Sequence, residues 1–240
     1  AYKKRVRVPG VKLILPNIEF RISQPNKEGE FINLHVIFSD KIKLEKIKEF
    51  LARLPLLNTT SDGKLQFCSE EGLHAVEYER ALIEPNILKE LIEKNFEPLR
   101  DYLVFGVPRG YGSFRPEGGE GRGITIAIEI DKIAHAFFGR ADDTAHFFNT
   151  QRYENAVAKP VVATSDAHQL EMVGANFSWI KADPTFEGLK QIVFEPQERI
   201  KIQEEKPEGK KTYFFIDKAR FIDNSTAPNF PSDFIELNQN

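Results

Sequence analysis

The feature that most constrains this chain is an apolar, β-branched run followed at once by a helical stripe. Phe31 to Phe38 (Phe-Ile-Asn-Leu-His-Val-Ile-Phe) has the content of a strand. Ser39 or Asp40 can then cap a helix on which Ile42, Ile47, Phe50, Leu51 and Leu54 form one apolar stripe. Strand followed by helix, met again further along, predicts βαβ units around a parallel sheet. Val11–Leu15 and Ile18–Ile22 read as extended segments flanking Pro16-Asn17, and Asn26 to Glu30 as a polar turn.

From about Pro55 to Gly123 the rhythm breaks. A helix is predicted from Pro85, with Ile87, Leu88, Leu91, Ile92 and Phe96 as its buried stripe, and a strand over Tyr102–Phe105. A glycine-dense stretch runs from Gly106 to Gly123 and carries Arg109, Arg115 and Arg122. Backbone amides freed by glycine, with guanidinium groups beside them, can hold a phosphate; a charged surface loop is the plainer reading. The pattern matches no phosphate-loop or dinucleotide fingerprint, and no helix start is evident in it. Alternation then resumes. Ile124–Ile130 reads as a strand, Asp131 as the cap of a short helix through Phe138, and Asp143 or Thr144 as the cap of another. Pro160–Thr164 is expected to be a strand, Trp179–Ala182 extended, and Asp183-Pro184 the start of a helix ending near Phe194.

The chemistry concentrates after Pro160-Val161-Val162-Ala163, where Thr164-Ser165-Asp166-Ala167-His168 follows. A carboxylate and an imidazole two residues apart share one side of an extended chain, so they can grip one ion. Hard oxygen with borderline nitrogen suits zinc, manganese or iron. The bland alternative is that Asp166 caps the next helix and His168 packs nearby. Glu19, among apolar residues, needs a partner, and Arg21 two residues on offers a salt bridge. His35 sits mid-strand, where a core role is common. His74 looks like surface, and His135 and His146 lie on predicted helices beside Phe137, Phe138, Phe147 and Phe148.

Composition excludes several classes. The chain has 240 residues with 41% hydrophobic and 29% charged, which describes a globular protein with a sizeable core. A net charge of -3 argues against a chain built mainly to coat nucleic acid. A single cysteine, Cys68, fits a reducing compartment and hence a cytoplasmic setting. No run approaches the roughly 20 apolar residues that span a bilayer, so no membrane partner is expected. Both ends read as cut from a longer chain. Glu204–Lys211 reads as a linker and Thr212–Phe221 as the start of a strand-rich piece.

Taken in order, Asn17-Ile18-Glu19-Phe20-Arg21, Asn33-Leu34-His35-Val36 and Thr164-Ser165-Asp166-Ala167-His168 resemble the PHP (polymerase and histidinol phosphatase) domain. Trp179-Ile180-Lys181-Ala182-Asp183-Pro184-Thr185-Phe186-Glu187-Gly188-Leu189 is similar to PHP proteins joined to a downstream SMC/AAA-like ATPase, some tied to DNA repair or phage defence. The likeness covers most of residues 8 to 240. It implies an α/β chain forming a distorted (β/α)7 barrel, incomplete at its N-terminus, over residues 1–204, with 55–123 as an insertion. Residues 205–240 would be a linker and the start of an ATPase-like domain. The resemblance also implies up to three divalent ions (Mn, Zn or Fe) held by Glu19, His35, Asp166 and His168, with His135 next in order for a further ligand. Arg21, Arg109, Arg115 and Arg122 would bind the phosphate of an ester or nucleic-acid substrate. PHP proteins open with a His-x-His motif, and none occurs in this chain. Two functions follow: a metal-dependent phosphoesterase or nuclease module, or a non-catalytic module that serves the ATPase.

Overall fold

The computed structural model describes residues 10–26, 28–110, 112–114, 121–208, 218–219 and 235–236. In chain order the elements are β1 (Asn17–Pro25), β2 (Phe31–Phe38), α1 (Leu44–Leu51), β3 (Pro55–Thr59), β4 (Leu65–Phe67) and α2 (Glu70–Ala75). Then come α3 (Pro85–Asn95), β5 (Tyr102–Gly106), α4 (Gly121–Ile133), β6 (Ala136–Phe138), α5 (Asp143–Phe148) and β7 (Val161–Val162). The series closes with β8 (Trp179–Ile180), α6 (Phe186–Phe194), α7 (Pro196–Arg199), β9 (Ile200–Lys201), β10 (Lys218–Ala219) and β11 (Ile235–Glu236). The chain divides into two compact units, Ala1–Lys206 and Pro207–Asn240. In the second, β10 pairs antiparallel with β11.

The first unit is organised by a five-stranded sheet in the order β1-β2-β5-β6-β7. β1 runs antiparallel to β2 and β2 antiparallel to β5, while β5, β6 and β7 are parallel. This open mixed sheet corrects the expectation of a (β/α)7 barrel. A barrel needs each strand parallel to the last and a crossover of a dozen or more residues between them. Here the short turn after Pro25 sends the chain straight back, so β1 and β2 form a hairpin. Asn26 builds that turn: its Oδ1 accepts from the amides of Glu28 and Glu30, at 3.0 and 2.9 Å. Among the described residues β1 and β7 stay at opposite edges of the sheet. Its central strand, β5, comes from within residues 55–123.

β2 shows why the sheet has two faces. Ile32, Leu34, Val36 and Phe38 are at most 1% exposed, and they alternate with half-buried neighbours, the period of two that a pleated strand imposes. The buried set joins Phe20 and Ile22 of β1, Val104 of β5 and Phe137 of β6 on the first face. α1, α3 and α4 cover it with Ile47, Phe50, Leu88, Ile92, Ala127 and Ile130. Burying each of the larger of these side chains contributes about 1.5–3 kcal/mol. On the second face Leu103, Phe105, Ala136 and Val162 pack against Phe186 and Ile192 of α6 and Ile200 of β9.

Several local expectations change. Ile124–Ile130 is part of α4, not a strand, and Asp131 lies in the last turn of that helix rather than at the start of one. Ile126, Ala127, Ile130, Ile133 and Ala134 meet the core at helical spacing, so tertiary packing overrides the strand preference of alternating isoleucines. α4 begins inside the glycine-dense stretch, and β6 stands where a short helix was expected. Among the described residues no strand includes Val11–Leu15. The cap of α6 is Thr185 rather than Asp183, its Oγ1 accepting from the Gly188 amide at 3.0 Å. A Cβ at Gly188 would lie 2.1 Å from the Asp183 carbonyl oxygen, so this entry to the helix needs glycine.

Beneath the first face lies a buried ion cluster. Asp131, 4% exposed, receives Arg152 Nη2 at 2.7 Å and Lys159 Nζ at 2.9 Å. Lys159 also donates to the carbonyls of Asp131 and Ala134, at the C-terminal end of α4. Arg152 Nη1 donates to the carbonyls of Phe147 and Asn149 at the end of α5, at 3.1 and 2.9 Å. Cations placed at two helix C-termini satisfy carbonyls that have no partner within the helices. One carboxylate holds both in place. Among the described residues no helix is long and apolar enough to cross a membrane.

Candidate functional site

The polar groups of the second face lie on β1 and β2. Cross-strand pairing sets Asn17 against Ile37, Glu19 against His35 and Arg21 against Asn33, and opposite residues of an antiparallel pair share a face. The five polar side chains therefore rise from one surface in two adjacent rows. They continue sideways into the apolar part of that face, where Phe138 meets the His35 ring edge-on at 5.1 Å.

His35 is the centre of this patch. Its side chain is 18% exposed, with Nδ1 3.0 Å from Asn17 Nδ2 and Nε2 3.9 Å from Glu19 Oε2. Burial pulls its pKa below the ordinary 6.5, against the opposing charges of Glu19 and then Asp166. The ring is therefore neutral at neutral pH, the form that offers a lone pair to a metal. Asn17 Nδ2 donates to Nδ1, so the neutral ring carries its proton on Nε2, on the side of Glu19.

Asp166 follows β7 on an exposed turn with φ of 43°, in the left-handed region that aspartate tolerates better than most residues. The root of its loop is fixed where Ser178 Oγ accepts from the Ala163 amide at 2.8 Å. The Asp166 charge reaches His35, more weakly than that of Glu19. His168 is exposed on the same loop and has no hydrogen bond or ion pair to any described residue.

His135 lies elsewhere. It sits in the turn between α4 and β6, not on a helix, and its Nδ1 accepts from the Val104 amide at 2.9 Å. Its ring meets Tyr102 at 6.1 Å, among the side chains of the first face, so the sheet separates it from His35. Burial, helped by the Lys159 charge, pushes its pKa down to about 4.

The predicted phosphate-binding arginines divide as well. Arg21 stands in the row beside the Glu19–His35 pair, and the buried Oδ1 of its neighbour Asn33 has no hydrogen-bond partner among the described residues. Arg109 Nε lies 2.7 Å from Asp143 and Nη2 2.6 Å from Asp142. Asp143, with no exposed surface, also accepts from the Arg140 amide at 2.9 Å. Arg109 thus clamps the loop after β5 to the start of α5, and two carboxylates already answer its charge. Arg115 and the side chain of Arg122 lie outside the described residues. His74 is exposed on α2, and His146 on α5 stacks edge-on against Phe147 at 4.9 Å.

Asn17 and Asn33 complete a patch that sequence reasoning centres on charged residues alone. The signal is present in the chain: both stand two residues from a candidate ligand in an alternating strand. Two carboxylates and a neutral imidazole fit a divalent cation of borderline softness by donor chemistry. Among the described residues, however, no three His, Cys, Asp or Glu side chains stand close enough together to hold one. No family model, no curated protein and no solved structure matches this chain.

Proposed function

We propose that the polar face of β1 and β2, with the loop after β7, belongs to a metal-dependent phosphoesterase or nuclease module. The observation that carries this reading is His35, neutral through burial, with Glu19 3.9 Å from its Nε2, Asn17 on its Nδ1 and the charge of Asp166 acting on it from the loop after β7. The order Glu19, His35, Asp166, His168 resembles the ligand order of PHP proteins joined to an ATPase. That likeness supports a cytoplasmic protein working on a phosphate ester or nucleic acid beside an ATPase domain. A bound manganese, zinc or iron would supply an activated water and charge for the phosphate oxygens. The chain's own groups do the rest. Glu19 and Asp166 fix the negative potential that draws the cation, Asn17 orients the imidazole, and Arg21 lies one row away to meet a phosphate.

Metal content after equilibration with manganese or zinc, together with hydrolysis of bis(p-nitrophenyl) phosphate, tests the proposal. Metal bound in stoichiometric amount, lost in Asp166→Ala and Glu19→Ala at an unchanged melting temperature, and accompanied by hydrolysis, is the expected result. The lack of a third close ligand among the described residues favours one rival, a non-catalytic module of the same ATPase protein. A metal-free chain that does not hydrolyse the ester would establish that rival and overturn the enzyme.

A further inference from the structure

Behind the sheet, on the first face, α3 and the strands β2 and β5 line a pocket of about 150 Å3 that opens to solvent. Leu34, Val36, Leu88 and Val104 form its apolar walls, and Tyr102 and His135 bring the polar atoms. Exposed Lys89, Glu93 and Lys132 stand around it toward solvent. Of known protein cavities, one of about 150 Å3 lined by apolar side chains takes up a benzene ring.

We propose that this cavity is a binding site for a small, ring-sized apolar molecule carrying one hydrogen-bond acceptor, which His135 recognises. Its tautomer is what makes His135 selective. Nδ1 accepts from the Val104 amide, so a neutral ring carries its proton on Nε2, and no described group accepts from that nitrogen. Burial keeps the ring neutral well below neutral pH. The same burial keeps the Tyr102 hydroxyl protonated, with Glu93 adding to the effect. The lining of this apolar slot therefore includes a ring whose Nε2–H has no acceptor among the described residues, beside the Tyr102 hydroxyl. A ligand that fills the slot without an acceptor leaves that donor unmet, which costs affinity. This site stands on the opposite face from the proposed metal site and does not depend on it.

Phenol and benzene, titrated separately into the 15N-labelled full chain, test the proposal. Phenol is expected to shift the amides of Leu88, Val104 and His135 and to bind about tenfold more tightly than benzene, the worth of one hydrogen bond. His135→Asn keeps an oxygen where Nδ1 accepts but removes the Nε2 donor, so phenol should lose its advantage over benzene, whereas Tyr102→Phe, which removes the hydroxyl donor of the lining, should leave that advantage in place. Leu88→Phe, which fills the slot, should abolish both. Shifts that fall outside this cavity, equal affinities in the unsubstituted chain, or binding that survives Leu88→Phe would each overturn the site.

Discussion

The two faces of the sheet treat charge in opposite ways. Under the first, Asp131, Arg152 and Lys159 are almost wholly buried, and the side-chain bonds they make among the described residues close helix ends and ion pairs. On the second, Glu19 keeps 52% of its side chain exposed, stands 3.9 Å from His35, and shares its influence on that ring with an exposed aspartate. Charges satisfied in the dry interior hold the fold in one arrangement. Charges left loosely paired toward water remain available to something else. Stability should therefore depend steeply on the first group and hardly at all on the second.

The sharpest way to break that contrast is Asp131→Ala. It leaves two cations buried without their shared carboxylate, a loss of about 3–5 kcal/mol. Urea denaturation would measure it against the unsubstituted chain. A cost near that of an ordinary surface substitution would mean that water reaches the cluster, and the contrast would fail.

The next effect belongs to His135 and appears in pH. Its pKa is 6.5 in an unfolded chain and about 4 when folded. The folded state resists the proton, so the unfolded state binds more of it between these values, and stability rises with pH across that window. The His135 contribution is complete above about pH 6.5 and is lost as pH falls toward 4, to a total of about 3 kcal/mol. His135→Asn should flatten this part of the profile, measured by denaturation at pH 7, 5.5 and 4.5. A profile as steep in the variant as in the parent would assign the dependence to other groups.

These regions are unequally legible in the sequence. β2 can be read from Phe31 to Phe38 because a strand packed on a sheet core writes its period of two into the chain. α4 misleads because its isoleucines alternate while its burial follows helical spacing; period alone cannot separate the two when both sets of positions are apolar. Strand direction misleads for a different reason. Asn26 to Glu30 is recognisable as a turn, and a five-residue polar turn with glycine between two strands is itself the sign of an antiparallel hairpin. Given its full weight, that turn alone argues against a barrel. Glu19 and His35 stand out as polar groups in apolar strands. The role of Asp131 does not, since Arg152 and Lys159 lie 21 and 28 residues further on and nothing local marks them as partners.

The smallest effect tests the second face. Glu19→Gln should change stability by no more than about 0.5 kcal/mol at neutral pH, as expected of an exposed group in a loose pair. Its signature lies in His35. Glu19 is the first of two charges that raise the pKa of this ring against burial, so removing it should lower that pKa further. Proton NMR of the His35 ring across pH 4 to 7 would read the direction. An unchanged or higher pKa would mean that Glu19 does not act on the ring, and the proposed ligand pair would dissolve. The sign for stability follows. A folded pKa already below 6.5 gives stability that is present above that pH and lost as pH falls, and Glu19→Gln extends the loss to lower pH. Deleting an acid under the first face thus exposes buried cations to their full cost, whereas deleting one on the second makes a neutral imidazole more firmly neutral. The carboxylate on the second face is spared the work of holding the fold, which leaves it free to meet a cation.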